Sequence, residues 1–561
     1  MASFFSYYFR KYPLFRVAVL FILVLLVFGS YLLFFVERNP IPVIAKINPP
    51  IGSPGDILVV NGSGFGKEKK ASFVEIGGSR LTTSSYLSWT DTEIKVELPS
   101  NIQDGLVFVE TRYGRSEPVI FANKENIPVA ITQMAVQSSV PSITHQSHEK
   151  ISVGQVLTIT GDNFGTLRGD NSAVYFTAQW TDSKNANDIN IKYLTPSEND
   201  FDYEYWSNTE IRVRVPDGAV SGHFFVKTDK GISNQRNITV TSTAGTKSYE
   251  NMRSYIVQVS ADISDINADK QSLITLRVPR PSQYAVQPYI QMTECQPAPI
   301  FENYNQSVIH QLQTNAVADK KFVFNQTFVV PVYEVNTEIN SAKVEKYSEK
   351  NRLLYVLYTS SDSCIPSDTP QIQELADSIV GKETNPYKQA RLIYDYILQN
   401  YRLSDTLITS EAGSLNMLTT LQGDAYDFSI IFTALCRAVG IPAIPVSGLL
   451  TDFNKNSQNH WWSEIYIEKF GWIPVDVSIA AGLQFSIQKH PDNLADFYFG
   501  NLDNQHIAFS RGWKEVNPSI VNNKTVYRPK TYGLQSIWEE STTGVVSYSS
   551  LWSNPLIVGF Y

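Results

Sequence analysis

Residues 421–448 read LQGDAYDFSIIFTALCRAVGIPAIPVSG, and residues 459–478 read NHWWSEIYIEKFGWIPVDVS. The first stretch predicts a helix from about Ala425 to Val439, because Gly440 and Pro442 follow it as stop signals. Strands are then expected in AIPVSGLL, WWSEIYIE and WIPVDVS, which are rich in apolar and aromatic residues. A helix followed by a run of strands predicts a domain that mixes α and β structure.

Two more helices are predicted before this stretch. In TPQIQELADSIVG, one helical face carries the apolar residues Ile372, Leu375 and Ile379. Gly381 is a suitable C-terminal stop for that helix. In NPYKQARLIYDYILQNY, Asn385 can cap the second helix and Pro386 suits its first turn.

The two quoted stretches resemble the core of the transglutaminase-like superfamily of papain-type cysteine enzymes. In that family a nucleophilic cysteine begins the helix in a G-x-C-x-D-like turn, an "HxWxE" strand brings a histidine and a "GWxPxD" strand brings an aspartate. The resemblance runs from about Ile372 to Gly512 and includes the segment DFYFGNLDNQHIAFSRG. It implies His460 as the catalytic histidine and Asp476 as its orienting acid, with supporting positions at Trp462, Glu464 and Trp472.

Cysteine chemistry of this type divides its work among three side chains. A thiolate attacks the amide carbonyl, and a helix N-terminus with a nearby imidazolium lowers the thiol pKa. The histidine carries the proton to the leaving amine, and the aspartate fixes the imidazole tautomer. In this chain the nucleophile position in Gly423-Asp424-Ala425-Tyr426-Asp427 is Ala425, whose methyl group cannot attack a carbonyl.

Other side chains are poor replacements for the missing thiol. Cys436 follows eleven residues later on the same helix, about 16 Å along its axis, whereas a catalytic hydrogen bond spans about 3 Å. Asp424 is adjacent to the required position and points elsewhere, and Ser429 is a turn further along. Cys295 and Cys364 precede the first helix of this domain and are expected to lie far from the motif.

The residues therefore predict a degenerate domain, in which His460 and Asp476 survive without the nucleophile. The alternative is an active amide hydrolase or acyl transferase that uses another nucleophile or belongs to an active parent, since Ala425 could also be an engineered replacement of cysteine. No cofactor is predicted. One histidine and one aspartate are too few ligands for a metal site.

The N-terminal half contains an internal repeat. GDILVVNGSGFG in the first copy, which includes Phe65, corresponds to GQVLTITGDNFG in the second copy with an offset of 99 residues. Trp89 recurs as Trp206, and Pro99 recurs as Pro216, with an offset of 117 residues. The second copy therefore carries an insertion of 18 residues, in the polar stretch around residues 182–202.

These copies resemble the IPT/TIG family of immunoglobulin-like domains, over about residues 41–121 and 128–240. The shared marks are a "GxGFG" turn after a strand, a "TEIxVxxP" strand and a "GxxFV" strand. Alternation in IKVEL and IRVRV predicts half-buried strands, which agrees with a β-sandwich. Such domains bind proteins or act as spacers, and the sequence does not separate those roles.

A third β domain is predicted from about Ser254 to Thr359. Its expected strands are SYIVQVSADI, SLITLRVPRP, FVFNQTFVVPVYEV and RLLYVLYTS. Cys295 and Cys364 could form a disulfide in an oxidising compartment, or they could remain two unpaired core cysteines.

The segment Val17–Val36 predicts a membrane anchor. It contains 20 residues without a charge, enough to span about 30 Å of hydrocarbon. Arg10, Lys11 and Arg16 precede it, so the positive-inside rule places the N-terminus in the cytoplasm and the bulk of the chain outside. A cleaved signal peptide is the competing interpretation, although no small-x-small cleavage site follows the apolar run.

Composition agrees with a multidomain, β-rich surface protein. The 561 residues predict several domains, and 46 basic against 54 acidic residues give a net charge of −8, which argues against a nucleic-acid partner. The expected partners are the membrane, through Val17–Val36, and an extracellular protein, peptide or cell-wall ligand. The predicted order is a cytoplasmic N-terminus (1–16), a transmembrane helix (17–36), two immunoglobulin-like β-sandwiches (41–123 and 128–242), a β domain (250–360), an α+β transglutaminase-like, papain-like domain (368–515) and a C-terminal extension (516–561).

Overall fold

The computed structural model describes most of the chain after residue 40. The described residues are 41–124, 140–180, 193–268, 272–304, 306–314, 321–404, 415–487, 491–512, 524–527 and 538–561, with isolated positions from 11 to 24. They belong to two compact units, of which the first contains the first β-sandwich and the second contains everything from the second sandwich onward.

The first sandwich has two sheets. Its strands are β1 (Val43–Asn48), β2 (Ile51–Gly52), β3 (Ile57–Ser63), β4 (Phe73–Ile76), β5 (Ser79–Arg80), β6 (Tyr86–Trp89), β7 (Glu93–Glu97), β8 (Gly105–Thr111), β9 (Gly114–Arg115) and β10 (Val119–Asn123). One sheet has the order β1-β3-β7-β6, and the other has the order β2-β10-β8-β4-β5 with β9 paired to β8. In β7 the buried residues alternate with half-buried ones, as a strand with one face on a core requires.

The second sandwich repeats this arrangement strand for strand. Its strands are β11 (Ser142–Gln146), β12 (Lys150–Ser152), β13 (Val156–Asp162), β14 (Ala173–Ala178), β15 (Tyr193–Leu194), β16 (Tyr203–Trp206), β17 (Glu210–Arg214), β18 (Ala219–Thr228), β19 (Gly231–Ile232) and β20 (Arg236–Thr241). The sheet orders are β11-β13-β17-β16 and β12-β20-β18-β14-β15, with β19 on β18. The predicted repeat is thus visible in the topology.

The tryptophan found in both copies of the repeat makes the same hydrogen bond in each sandwich. The indole N–H of Trp89 donates to the carbonyl of Phe65 at 3.0 Å, and that of Trp206 donates to the carbonyl of Phe164 at 3.1 Å. Each tryptophan therefore fastens the end of β6 or β16 to the glycine-containing turn after β3 or β13. Trp206, Phe65 and Phe164 are almost completely buried.

Long antiparallel strands form the third β region. Its strands are β21 (Gly245–Ala268), β22 (Ser272–Pro279), β23 (Gln291–Gln296), β24 (Phe301–Tyr304), β25 (Ser307–Thr314) and β26 (Phe322–Ile339). β21 and β26 pair over most of their length, and alternate residues of β21 from Val257 to Ile263 are fully buried. The expected strand RLLYVLYTS is wrong: Leu353–Thr359 is a helix, α1, because a short apolar run suits either period and here it packs on helical and sheet neighbours.

The C-terminal domain has helices on one face of a four-stranded sheet. The helices are α2 (Pro370–Val380), α3 (Pro386–Asn400), α4 (Asn416–Thr420), α5 (Ala425–Ala438), α6 (Val477–Ala480) and α7 (Leu494–Phe497). The strands are β27 (Arg402–Leu403), β28 (Gln422–Gly423), β29 (Ala443–Thr451), β30 (Ser457–Ile467), β31 (Gly471–Val475) and β32 (His506–Arg511). The antiparallel sheet has the order β31-β30-β29-β32.

Helix signals in the sequence appear where they are expected. Asn385 caps α3 by accepting a hydrogen bond from the backbone N–H of Lys388, and Pro386 is the first helical residue. Gly381 ends α2 with a positive φ of 54°, a backbone conformation that glycine adopts at little cost.

The C-terminal extension belongs to the third β region. Its strands are β33 (Lys524–Tyr527), β34 (Trp538–Ser541), β35 (Val545–Trp552) and β36 (Leu556–Phe560). β34 pairs with β22, while β35 and β36 both pair with β21. The last strands of the chain therefore complete the two sheets that contain β21 and β22, although the whole transglutaminase-like region separates them in sequence.

The structure can be compared with two further expectations from the sequence, the membrane span and the pairing of the cysteines. Among the described residues, no helix combines the length and apolarity needed to cross a membrane. Most of the predicted span Val17–Val36 lies outside the described residues. Of the two alternatives for Cys295 and Cys364, a disulfide or two unpaired cysteines, the structure has the second, because Cys295, Cys364 and Cys436 are all free thiols.

Candidate functional site

The start of α5 holds the position at which the family places its nucleophile. Asp424 caps the helix, since its carboxylate accepts from the backbone N–H of Asp427 at 3.1 Å. The Asp427 carboxyl in turn accepts from the backbone N–H of Asp424 at 3.1 Å, which completes a reciprocal capping box. Ala425 is the first helical residue and is partly buried. The capped turn at the start of α5 is thus intact, and the side chain at its first helical position is the methyl group of Ala425.

The two capping carboxyls share a restricted space. Burial raises the pKa of Asp427 to about 7, and the charge of Asp424 contributes in the same direction. Proton uptake by one carboxyl relieves the repulsion between them. The start of α5 therefore carries less negative charge near neutral pH than two aspartates would suggest.

Helix α5 runs along β30 in the same direction as the strand. Ser429 donates to the carbonyl of Trp462 at 2.5 Å, and Thr433 lies 3.3 Å from the hydroxyl of Ser463. At the start of the helix, the ring of Tyr426 packs edge-on against Trp461, with centroids 5.0 Å apart. The start of α5 consequently lies at the end of β30 that carries His460.

Strand alternation sets the direction of the histidine. Trp461 and Ser463 face α5, so His460 and Trp462 belong to the alternate set of β30 side chains. His460 meets Asp476, which follows β31 and caps α6. Because α6 packs against α5, Asp476 links the histidine to the helix that begins at Ala425.

Four side chains form a buried chain of imidazoles and carboxylates, called here the His–Asp cluster: His460, Asp476, His506 and Asp503. Nε2 of His460 lies 2.6 Å from Oδ2 of Asp476, and Nε2 of His506 lies 3.1 Å from the same oxygen. Nδ1 of His506 lies 2.7 Å from Oδ1 of Asp503. All four residues are at most 1% exposed.

Neighbouring groups hold both carboxylates in place. Oδ1 of Asp476 accepts from the hydroxyl of Ser478 at 2.8 Å and from the backbone N–H of Ile479 at 2.9 Å. Oδ2 of Asp503 accepts from the hydroxyl of Tyr498 at 2.6 Å. The remaining oxygens, Oδ2 of Asp476 and Oδ1 of Asp503, are therefore directed to the imidazoles.

Charges within the cluster shift its pKa values strongly. Burial alone would raise the pKa of Asp476, but the charge and hydrogen bond of His460, with the hydrogen bond of His506, hold it well below its usual range. Burial alone would lower the pKa of His506, whereas Asp503 and Asp476 raise it to about 9. The two carboxylates therefore stabilise the cationic form of His506.

Two buried polar atoms beside the cluster have no partner in the described part of the chain. They are Nδ1 of His460 and Nε1 of Trp462. The Trp462 ring stacks on His460 at a centroid distance of 6.0 Å and meets His506 edge-on at 5.2 Å. Nε2 of His460 is thus bonded to Asp476, while its Nδ1 has no partner among the described residues.

The other supporting positions have structural partners. Glu464 forms a buried ion pair with Arg511, at 2.6 Å. The indole N–H of Trp472 donates to Asp200 at 3.0 Å, which ties the sheet to the second sandwich. These contacts hold β30 and β31 in place, and they give Glu464 and Trp472 a structural role.

None of the three thiols replaces Ala425. Cys436 is fully buried in α5, and burial raises its pKa well above the ordinary value. Cys364 corrects the expectation from sequence, because its sulfur lies 3.1 Å from the hydroxyl of Tyr426, the residue after Ala425. Its side chain is buried, and its sulfur is within hydrogen-bonding distance of the Tyr426 hydroxyl.

Sequence reasoning missed half of the His–Asp cluster. His506 and Asp503 lie in LDNQHIAF, inside the region of resemblance, but outside the three motifs that name catalytic positions. A D-x-x-H tetrapeptide at the start of an apolar strand was the available signal. The sequence offered only one histidine and one aspartate as metal ligands, and the structure adds His506 as a third possible donor at the same carboxylate.

Comparisons with known proteins agree with the domain assignments. Residues 373–477 match the family model of the transglutaminase-like superfamily, and residues 42–121 match that of the IPT/TIG domain. An uncharacterized protein of Haemophilus influenzae is 29% identical over 168 residues, covering 25% of this chain and 46% of that protein. A cyclomaltodextrin glucanotransferase of Paenibacillus macerans is 31% identical over 121 residues, covering 22% of this chain and 16% of the enzyme. This chain thus spans less than half the length of these relatives.

Solved structures with similar folds include a candidate cysteine protease from Cytophaga hutchinsonii and the periplasmic domain of TgpA from Pseudomonas aeruginosa. The first is 18% identical, with a TM-score of 0.34, covering 55% of this chain and 92% of that one. The second is 12% identical, with a TM-score of 0.23, covering 42% and 88%. Both TM-scores are below 0.5, so neither similarity bears on function. By its sequence matches, the chain contains a transglutaminase-like superfamily domain at residues 373–477 and an IPT/TIG domain at residues 42–121.

Proposed function

We propose that this protein is a membrane-anchored, extracytoplasmic binding protein whose transglutaminase-like domain has lost catalysis. The observation that carries the proposal is Ala425 at the start of α5, within an intact capping box and at the His460 end of β30. An acyl-enzyme needs a nucleophilic atom, and a methyl group supplies none. The ligand class is a peptide, a protein or cell-envelope material, and the immunoglobulin-like domains serve as its stalk or as further binding modules.

Binding without turnover uses the parts of the site that survive. The first backbone N–H groups of a helix lack intrahelical partners and attract carbonyl or carboxylate oxygens. An alanine at this position leaves more room for a ligand oxygen than a cysteine side chain would. A peptide carbonyl at the start of α5 would therefore be held there and not attacked.

A second candidate function is amide hydrolysis or acyl transfer through another nucleophile. The observation in its favour is the retained hydrogen bond of 2.6 Å between His460 and Asp476, which is the arrangement that orients a catalytic imidazole. Retention of this pair has a structural explanation too, since both side chains are fully buried and Nε2 of His460 and Oδ2 of Asp476 are hydrogen-bonded to each other.

Activity assays on four forms of the full-length protein separate the two candidates. The native chain, His460→Ala, Ala425→Cys and the double variant Ala425→Cys/His460→Ala are compared for peptide hydrolysis and for amine incorporation into glutamine peptides. We expect no turnover in the native chain, turnover in the single variant and its loss in the double variant. Turnover by the native chain that His460→Ala abolishes would overturn the binding proposal.

Ligand capture tests the binding role itself. Purified peptidoglycan sacculi and unfolded casein are the probes, and retention of the native protein is compared with that of Ala425→Tyr, which fills the space at the start of α5. We expect the bulky side chain to weaken retention at least tenfold. Equal retention of both proteins on both probes would contradict binding at this position.

A further inference from the structure

Three donor atoms in the His–Asp cluster converge on one place. Nε2 of His460 and Nε2 of His506 lie 2.6 Å and 3.1 Å from Oδ2 of Asp476, and the three ligand atoms all lie within 4.8 Å of one another. Two imidazoles and one carboxylate are a frequent ligand set for divalent transition metals. The three residues come from β30, the start of α6 and β32, so the fold rather than a local motif brings them together.

The surroundings orient these donors as metal sites orient theirs. Oδ1 of Asp476 is occupied by Ser478 and Ile479, which leaves Oδ2 to face both imidazoles. Nδ1 of His506 is bonded to Asp503, which places Nε2 on the side of Asp476. A carboxylate bonded to the far nitrogen of a ligating histidine is the usual outer support of a zinc site.

Charge and burial favour a divalent cation at this point. Asp476 and Asp503 are at most 1% exposed, and in the described part of the chain their only ion-pair partners are histidines. Two buried carboxylates are costly without positive charge beside them. A divalent ion held by Asp476 and the imidazoles is one source of that charge.

An independent observation is the pair of unsatisfied polar atoms beside the cluster. Nδ1 of His460 and Nε1 of Trp462 are buried and lack partners among the described residues, although most buried polar groups are hydrogen-bonded. Trp462 contacts both imidazole rings. Nδ1 of His460 lies on the edge of the ring that faces away from Oδ2 of Asp476, so it and Nε1 of Trp462 can bond a water or a small anion beside the cluster.

We propose that His460, Asp476 and His506 bind one divalent transition-metal ion of the zinc class, with Asp503 positioning His506. The site uses the family's histidine and aspartate together with a histidine outside the family motifs. It accounts for retention of His460 and Asp476 without a thiol. The proposal does not depend on the loss of catalysis, because metal binding and turnover are measured separately.

Metal content of the full-length protein tests the proposal. The protein is unfolded in chelator, refolded with Zn²⁺ or Co²⁺ in separate samples, freed of loose metal and analysed for bound metal by mass spectrometry. Refolding is used because the ligands are fully buried. We expect about one equivalent in the native chain and in His310→Gln, a control at a buried histidine outside the cluster. Co²⁺ bound by histidines and a carboxylate should also show visible ligand-field absorption.

Variants of the cluster make the test specific. His506→Gln and Asp476→Asn should bind less than a tenth of the native amount. Asp503→Asn keeps all three ligands and should bind more weakly by about 10- to 100-fold, which shows whether a loss in the other variants reflects ligation or misfolding. Circular dichroism checks that each variant folds. No bound metal in the refolded native chain, or undiminished binding in folded His506→Gln, would overturn the proposal.

Discussion

The second compact unit contains two buried histidine sites of opposite character. In the His–Asp cluster, both imidazoles bond to the carboxylate of Asp476, and His506 also bonds to Asp503. In the third β region, Nε2 of His310 lies 3.8 Å from the sulfur of Cys295 and 2.7 Å from the side-chain amide of Gln326. We call the second site the Cys295–His310 pair. One site combines imidazoles with carboxylates, while the other combines an imidazole with a thiol.

The pKa values of the groups in the two sites differ because only the His–Asp cluster has carboxylates bonded to its imidazoles. Carboxylates raise the pKa of His506 to about 9, whereas burial lowers that of His310 to about 4. Burial, together with the charge of Glu302, raises the pKa of Cys295 to about 11. A thiol next to an imidazole is therefore insufficient for a reactive thiolate when no carboxylate supports the imidazolium.

Removing the shared carboxylate should give the largest effect. Asp476→Ala leaves His460 and His506 buried beside Asp503 alone, so we expect a loss of about 3–5 kcal/mol in the free energy of unfolding. Urea unfolding monitored by circular dichroism measures it. The control is Gln326→Ala in the Cys295–His310 pair, where loss of a neutral partner should cost about 1–2 kcal/mol. Equal losses would remove the distinction between the two sites.

His310 should impose a pH dependence on stability. Its pKa in the folded chain, about 4, is below the ordinary value of 6.5, so the unfolded chain binds more protons between these values. Stability is then lost as pH falls from about 6.5 to 4, by about 1–2 kcal/mol after allowance for solvent screening. His310→Leu should remove this contribution. An unchanged pH dependence between native chain and variant, followed by urea unfolding, would contradict it.

The smallest expected effect concerns the reactivity of Cys295. Because its pKa is raised to about 11, iodoacetamide should alkylate it slowly at neutral pH. Glu302→Gln removes one cause, so the apparent thiol pKa should fall by a few tenths of a unit, the size of an exposed charge interaction. Peptide mass spectrometry follows the reaction at Cys295. A native thiol that reacts half-maximally below pH 8 would show that the pair is an activated one.

Local signals predicted much of the fold. The repeat offsets predicted two sandwiches of equal topology, because the turn and tryptophan positions make the same hydrogen bonds in both copies. Asn385 and Gly381 located helix ends through caps that act within a few residues. The run RLLYVLYTS was wrong, since its apolar residues fit both periods and tertiary packing decides between them.

Only those residues of the site that lie in recognisable sequence motifs could be predicted. His460 and Asp476 follow from strand motifs, and the structure bonds them directly. His506 and Asp503 arrive through β32, which pairs with β29 across the sheet, so their place depends on register rather than on spacing. Cys364 reaches Tyr426 from a segment before α2 for the same reason. Long-range pairing of this kind leaves no periodic signal in one sequence.

We propose that Ala425 occupies a transglutaminase-like site that lacks only its thiol. The most direct measurement is the pH profile of alkylation in Ala425→Cys, in a Cys295→Ser background, with and without His460→Ala. We expect a thiol pKa below about 7 at the introduced position, returning toward about 8.5 without the histidine. A pKa near 8.5 that does not change when His460 is removed would contradict the claim.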